Sequence, residues 1–164
     1  MGEESSQIIR STRGRALSFE ALRGRAVVVF YESRDHVEDN LHLKESCGLL
    51  SESPSMRGRL EVLGIADVRG LGFVEPVVRA AVGRVAQRYG AELWLDFHGV
   101  LARAPYRFGG RGSTVAVVDA TGCVVFRGDG PLDADGLERF FGALGAALDT
   151  RAAGELARRL AARA

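Results

Sequence analysis

The chain is predicted to fold as an α/β domain, a mixed central sheet with helices on both faces. Three observations carry that prediction. Residues 26–31 (AVVVFY) form an unbroken β-branched and aromatic run, the pattern of a strand buried on both faces. Helical spacing over 36–52 and 73–89 brackets an apolar run at 60–66, so strands and helices alternate and the early strands pair in parallel. Later, 114–119 (TVAVVD) and 123–127 (CVVFR) are separated only by Ala120-Thr121-Gly122, which makes an antiparallel hairpin.

In chain order, residues 1–15 are polar and expected to be loose, and Leu17–Leu22 gives a short apolar turn closed by Arg23-Gly24-Arg25. The buried strand follows. The helix predicted over 36–52 places Val37, Leu41, Leu43 or Cys47, and Leu50 near one stripe. Residues 51–58 (SESPSMRG) are turn chemistry, and 60–66 (LEVLGIA) is a second strand. The helix over 73–89 presents Phe73, Val77, Val78, Ala81, Val85 and Tyr89 at intervals of three and four, with Pro76 in its first turn and Gly90 as its stop. Residues 92–96 (ELWLD) form a short extended piece, and Gly109–Gly112 a flexible loop. After the hairpin, a helix over 133–148 carries Leu137, Phe140, Phe141, Leu144 and Leu148 on one face. The domain is thus expected over 16–149, with a separate amphipathic helix at 150–164.

With 22 basic against 21 acidic residues, the chain offers no long-range field to recruit nucleic acid or an anionic membrane. Lys44 is the sole lysine, and the scattered arginines read as coding bias. Cys47 and Cys123 form neither a disulfide framework nor a zinc pattern. No run reaches membrane-spanning length and residues 1–15 lack the apolar stretch of a signal peptide, so the expected address is cytoplasmic. No cofactor is expected.

The element order and its punctuation resemble the three-layer fold of the thioredoxin-like superfamily. The nearest resemblance is to its alkyl hydroperoxide reductase/thiol-specific antioxidant (peroxiredoxin) and TlpA-like branch. Three patterns carry it over roughly residues 17–148: Leu22-Arg23-Gly24-Arg25 entering the Val27–Tyr31 strand; Leu95-Asp96 before an irregular segment reaching Tyr106; and Thr114–Gly122, a strand ending in Asp-x-x-Gly, followed by Val124–Gly130.

Carried over residue by residue, the resemblance implies no thiol chemistry. Where the family pattern Phe-Trp-x-x-x-Cys-x-x-Cys has its nucleophile stands Asp35, and the resolving position is Glu38. Glu32 replaces the proline of the peroxiredoxin motif. Ser113 occupies the place of the cis-proline, giving Gly-Ser-Thr where the family has x-Pro-Thr. A thiolate at that helix start is stabilised by free N–H groups and the helix dipole, and a carboxylate accepts the same donors. Asp35 is therefore expected to cap the helix, with Glu38 completing a capping-box-like arrangement.

Other candidates are weaker. His36, Asp39 and His42, with Glu38, crowd the same helix start and have metal-ligand spacing, although polar residues at a solvated helix start explain them as well. Cys47 falls about three turns into the helix, where an inert buried thiol is the ordinary outcome, and the same holds for Cys123. Residues 93–101 imitate the haloacid-dehalogenase phosphatase motif, with Asp96 as nucleophile and Asp129 and Asp133 as magnesium ligands. His98 replaces the second aspartate of that motif and Lys44 precedes it, so this activity is not expected. Arg103 and Arg107 beside the Gly109–Gly112 loop offer a further anion site, for which a solvated loop is the plain alternative. The reading is a redox-inactive domain that binds a protein or peptide in the groove near Asp35 and Ser113. The alternative is an atypical thiol-dependent oxidoreductase or peroxidase using Cys47.

Overall fold

A computed structural model describes residues 8–148. The helix expected over 150–164 lies outside the described residues.

Six strands form one mixed sheet: β1 (Arg10–Ser11), β2 (Ala26–Ser33), β3 (Leu60–Asp67), β4 (Leu93–Asp96), β5 (Ser113–Val118) and β6 (Val124–Asp129), in the order β1-β4-β3-β2-β5-β6. The AVVVFY run becomes β2, flanked by parallel β3 and antiparallel β5. Both of its faces are covered, and Val28, Val29, Phe30 and Tyr31 are fully buried. At about 1.5–3 kcal/mol for each large apolar side chain, this strand anchors the domain. The α/β class with a mixed sheet is the one the sequence predicts, with the difference that all three α-helices share one face and only a 3-10 helix lies on the other.

Three α-helices lie on one face: α1 (Leu41–Glu52), α2 (Glu75–Tyr89) and α3 (Ala134–Ala147). There Val28 and Phe30 of β2 meet Leu43, Cys47 and Leu50 of α1 and Phe140, Phe141 and Leu144 of α3. Val78 and Val82 of α2 pack on Leu95 and Ala66. The alternate residues Val27, Val29 and Tyr31 face the other way, under Phe19, Leu22, Leu101, Tyr106 and Phe108. That second layer contains a 3-10 helix (Glu20–Leu22) and irregular backbone.

Four expectations are corrected. Part of the loose N-terminal stretch is a strand, since Arg10–Ser11 pairs with Leu95 and Trp94 and so supplies the sheet edge. The segment 34–40 is not helical beyond a 3-10 turn (Arg34–His36); α1 starts only at Leu41. The cause is tertiary: Asn40 donates to the Gly130 carbonyl (3.1 Å) and accepts from the Leu132 N–H (3.0 Å), holding its backbone at φ −130°. Asp35 therefore caps nothing, and neither does Glu38; both are exposed, and no side chain caps either helix start. Finally, α2 buries Val78, Val82 and Ala86 instead of the stripe through Phe73 and Val77, which faces out. Its ends are as expected, with Pro76 in the first turn and Gly90 closing it at φ +62°.

Candidate functional site

β2 ends and β5 begins at the same end of the sheet, because they run antiparallel and pair Glu32 with Ser113. The turn leaving β2 and the loop entering β5 therefore meet. This is where the sequence comparison places the reactive thiol and the facing proline.

The meeting point is a hydrogen-bonded cluster. Ser113, fully buried, donates its hydroxyl to Asp39 Oδ2 at 2.7 Å. His36 Nδ1 lies 3.0 Å from the same oxygen. The imidazole lies over Gly112, whose missing side chain makes the room: a Cβ there would fall 2.2 Å from His36 Cδ2. Gly112 has φ +85°, so a glycine answers both the backbone and the contact. The Ser113 carbonyl accepts from Gly130 N–H (2.9 Å), and the neighbouring Thr114 hydroxyl donates to Asp129 (2.6 Å) while accepting from Gly109 N–H (2.8 Å).

A serine, a histidine and an aspartate share this site, yet they are not wired for nucleophilic catalysis. That chemistry needs the hydroxyl hydrogen-bonded to the imidazole and the imidazole to the carboxylate. Here the carboxylate takes both hydrogen bonds, and the serine oxygen is out of reach of solvent.

Beneath the cluster sits Glu32, 8% exposed at the end of β2. Its Oε2 accepts from Lys44 Nζ at 2.5 Å, and Lys44 also reaches the Val37 carbonyl. Glu32 Oε1 has no partner among the described residues. Burial pushes the Glu32 carboxyl above its ordinary range; Lys44 opposes the shift and Asp39 adds to it. The ion pair explains the chain's only lysine, whose flexible stem from α1 spans to a buried acid. On the second face of the sheet, Tyr31 donates to Asp96 at 3.1 Å, and burial raises its phenol.

The predicted positions separate. His36, Asp39 and Ser113 come together at this end of the sheet, and Asp35 and Glu38 are exposed in the same turn. His42 turns away toward Glu45 at 3.9 Å, so the His36/Asp39/His42 set does not assemble, and no metal-holding cluster exists among the described residues. Cys47 is wholly buried in the core, its thiol pushed up to about 12 by burial. Cys123 is exposed in the β5–β6 turn, at the opposite end of β5 from Ser113. Asp96 spends its carboxylate on Tyr31, Val100 N–H and Leu101 N–H, while Asp133 caps α3. Asp129 lies on β6, four strand spacings or about 19 Å from β4, so these aspartates cannot share a cation. Arg103 is bound to the Gly99 and His98 carbonyls. Arg107 and Arg111 both sit at positive φ, 54° and 56°, bracketing the loop that delivers Ser113.

Sequence reasoning missed Asn40 and the buried pairing of Glu32. A signal for the second existed: an acid ending an apolar strand, twelve residues before the only lysine.

No family model matches this chain, and no curated protein does. Solved structures do. A thiol-disulfide isomerase of Corynebacterium glutamicum superposes with a TM-score of 0.60 at 18% identity, over 87% of this chain and 92% of that one. A thioredoxin-family thiol:disulfide interchange protein of Chlorobium tepidum gives 0.56 at 18% identity, over 85% and 90%. An exposed lipoprotein thioredoxin of Streptococcus pneumoniae gives 0.57 at 15%, over 81% and 95%. Sheet order, crossovers and these superpositions together establish that the chain has a thioredoxin-like fold.

Proposed function

We propose that this protein binds a polypeptide at the Asp39–Ser113 end of its sheet and carries out no dithiol chemistry there. The observation behind this reading is the closed Ser113–Asp39–His36 cluster at the place where the fold would hold a reactive thiol. Its polar groups satisfy one another, while Asp35, Val37 and Glu38 remain exposed beside it as a contact surface. Cys47 is sealed in the core, and Cys123 belongs to the far turn. The sequence-based cytoplasmic address and the affinity to the peroxiredoxin/TlpA-like branch are part of this proposal; among the described residues no helix is long and apolar enough to cross a membrane.

A second reading has support of a different kind. The similar structures are by name thiol-disulfide exchange proteins, which favours a thiol-dependent oxidoreductase. Such an enzyme would need Cys47 to leave the core. One experiment separates the two: insulin reduction and peroxide consumption with dithiothreitol, for the wild type and for Cys47→Ser. No turnover above the dithiothreitol background is expected. Turnover abolished by Cys47→Ser refutes the binding-only reading. The binding itself is tested on an immobilised peptide library, where Val37→Asp at the exposed lip should weaken whatever the wild type retains.

A further inference from the structure

Glu32 ends β2 on the same face as Val28 and Phe30, beneath the first turn of α1. An ionised carboxylate has room for about four hydrogen bonds. Here it takes one, from Lys44 Nζ on Oε2, while Oε1 is buried without a partner among the described residues. Lys44 spends a second donor on the Val37 carbonyl at 3.1 Å, so the ammonium that answers the acid also straps the turn above it. Asp39, whose Oδ2 accepts from Ser113 and lies against His36, adds a like charge nearby.

Other elements bring little charge to this spot. Across the sheet Glu32 is paired with Ala66 and Ser113, and α3 presents Phe140, Phe141 and Leu144 on this face. Asp67 and Asp129 are held by Arg69 and Arg127. Lys44 therefore favours the ionised acid, and burial and Asp39 oppose it. Burial prevails, because an oxygen sealed without a donor loses its hydration and gains nothing in exchange. The carboxyl stands above its ordinary range accordingly. The ionised group can recover water without unfolding the domain, since what covers it is short. Residues 34–39 hold only one 3-10 turn and are tied down through Lys44–Val37 and Ser113–Asp39, while Asn40 fixes the start of α1 separately.

We propose that Glu32 and Lys44 form a proton-operated latch: with Glu32 protonated the turn at residues 34–39 lies closed over the end of β2, and when Glu32 gives its proton to solvent the turn opens and water reaches the carboxylate. The device stands whether or not a polypeptide binds at this end. Its sign is fixed by linkage. The closed turn raises the carboxyl and the open turn returns it to the ordinary 4.5. Opening is therefore insensitive to pH below that value, and becomes up to about tenfold easier per pH unit above it until the raised value is passed.

Amide hydrogen exchange of the full chain between about pH 4 and pH 8, divided by the intrinsic rate at each pH, reads this opening. The Asp39 and Leu41 amides, bonded to the His36 and Glu38 carbonyls, report the turn, and the Val29 amide in the centre of β2 reports global unfolding. Asp39 and Leu41 should exchange faster than Val29. Their protection should fall at least about tenfold across the range, in the window where the Glu32 carboxyl carbon titrates by NMR. The fall should vanish in Glu32→Gln and persist in His36→Gln, with circular dichroism verifying that each variant folds. The carboxyl titration is made on the wild type, so a variant that fails to fold leaves the test standing. A Glu32 that titrates at or below 4.5 overturns the latch. So do turn amides as well protected as Val29, protection that stays flat with pH, or a fall that survives Glu32→Gln or disappears in His36→Gln.

Discussion

The native reactivity of Cys47 should be well over about tenfold below that of an ordinary thiol, and this decides between the two functional readings. Cys47 is completely buried among Leu43, Leu50, Val28 and Phe140, and burial alone pushes its pKa from 9.0 to about 12. At pH 7 a thiol of pKa 9 is about one part in a hundred thiolate, and one of pKa 12 about one part in a hundred thousand. Only the thiolate attacks a disulfide reagent; the greater nucleophilicity of a more basic thiolate returns about half of that deficit, so ionisation alone slows the reaction by about one to two orders of magnitude before access is counted. Access adds to it, since reaction must wait for an opening of α1 from the sheet. The assay is labelling of the native full chain with excess Ellman's reagent at about pH 7. One fast equivalent from the exposed Cys123 is expected, and a second only on adding denaturant. Cys123→Ser should remove the fast phase and leave the slow one unchanged. If Cys123→Ser still labels without denaturant within tenfold of the rate of a small-molecule thiol, Cys47 reaches solvent in the folded protein and the sealed-core argument fails.

Three further outcomes follow from the site. Glu32 has a raised pKa, so the folded state holds its proton more tightly than the unfolded chain. The stabilisation this provides is complete below the ordinary value of 4.5 and is lost as pH rises through the raised value. Glu32→Gln should therefore show a shallower fall in urea-unfolding free energy than the wild type between about pH 4 and pH 7, and parallel curves would refute the assignment. Gly112→Ala should destabilise by at least about 1–2 kcal/mol from the left-handed backbone alone, and more because its methyl collides with His36. A change below about 0.5 kcal/mol in the same measurement contradicts the packing described. Asn40→Ala strips a partner from both Leu132 N–H and the Gly130 carbonyl, at about 1–3 kcal/mol for each group left unsatisfied. A near-neutral result would mean that Asn40 does not hold the start of α1.

The elements with strong periodicity were legible. AVVVFY could only be a central strand, and the Leu137–Leu148 pattern marks the buried side of α3, whose Phe140, Phe141, Leu144 and Leu148 all lie in the core. Gly90 and the Ala120-Thr121-Gly122 turn stop their elements where expected because the local backbone demands it. The site was legible in half. That Asp35 and Glu38 stand where thiols would be is a statement about spacing along one strand and the turn after it. What those residues do instead is not legible there, since local sequence suggests capping and Asn40 displaces the helix start.

The sequence by itself determined the α/β class, the identity of the central strand and the absence of cysteine at the turn after β2. These depend on hydrophobic period and on residue type, which are properties of one segment at a time. Tertiary structure alone decided that Asp39 rather than Asp35 anchors the site, that Lys44 serves Glu32, and that α2 shows its longer apolar row to solvent. Each of these turns on a partner 12 to 74 residues away, or on which of two similar helix faces finds a sheet to cover. A local pattern holds no record of either, because the choice is made by the burial and hydrogen bonds available only once the strands have met.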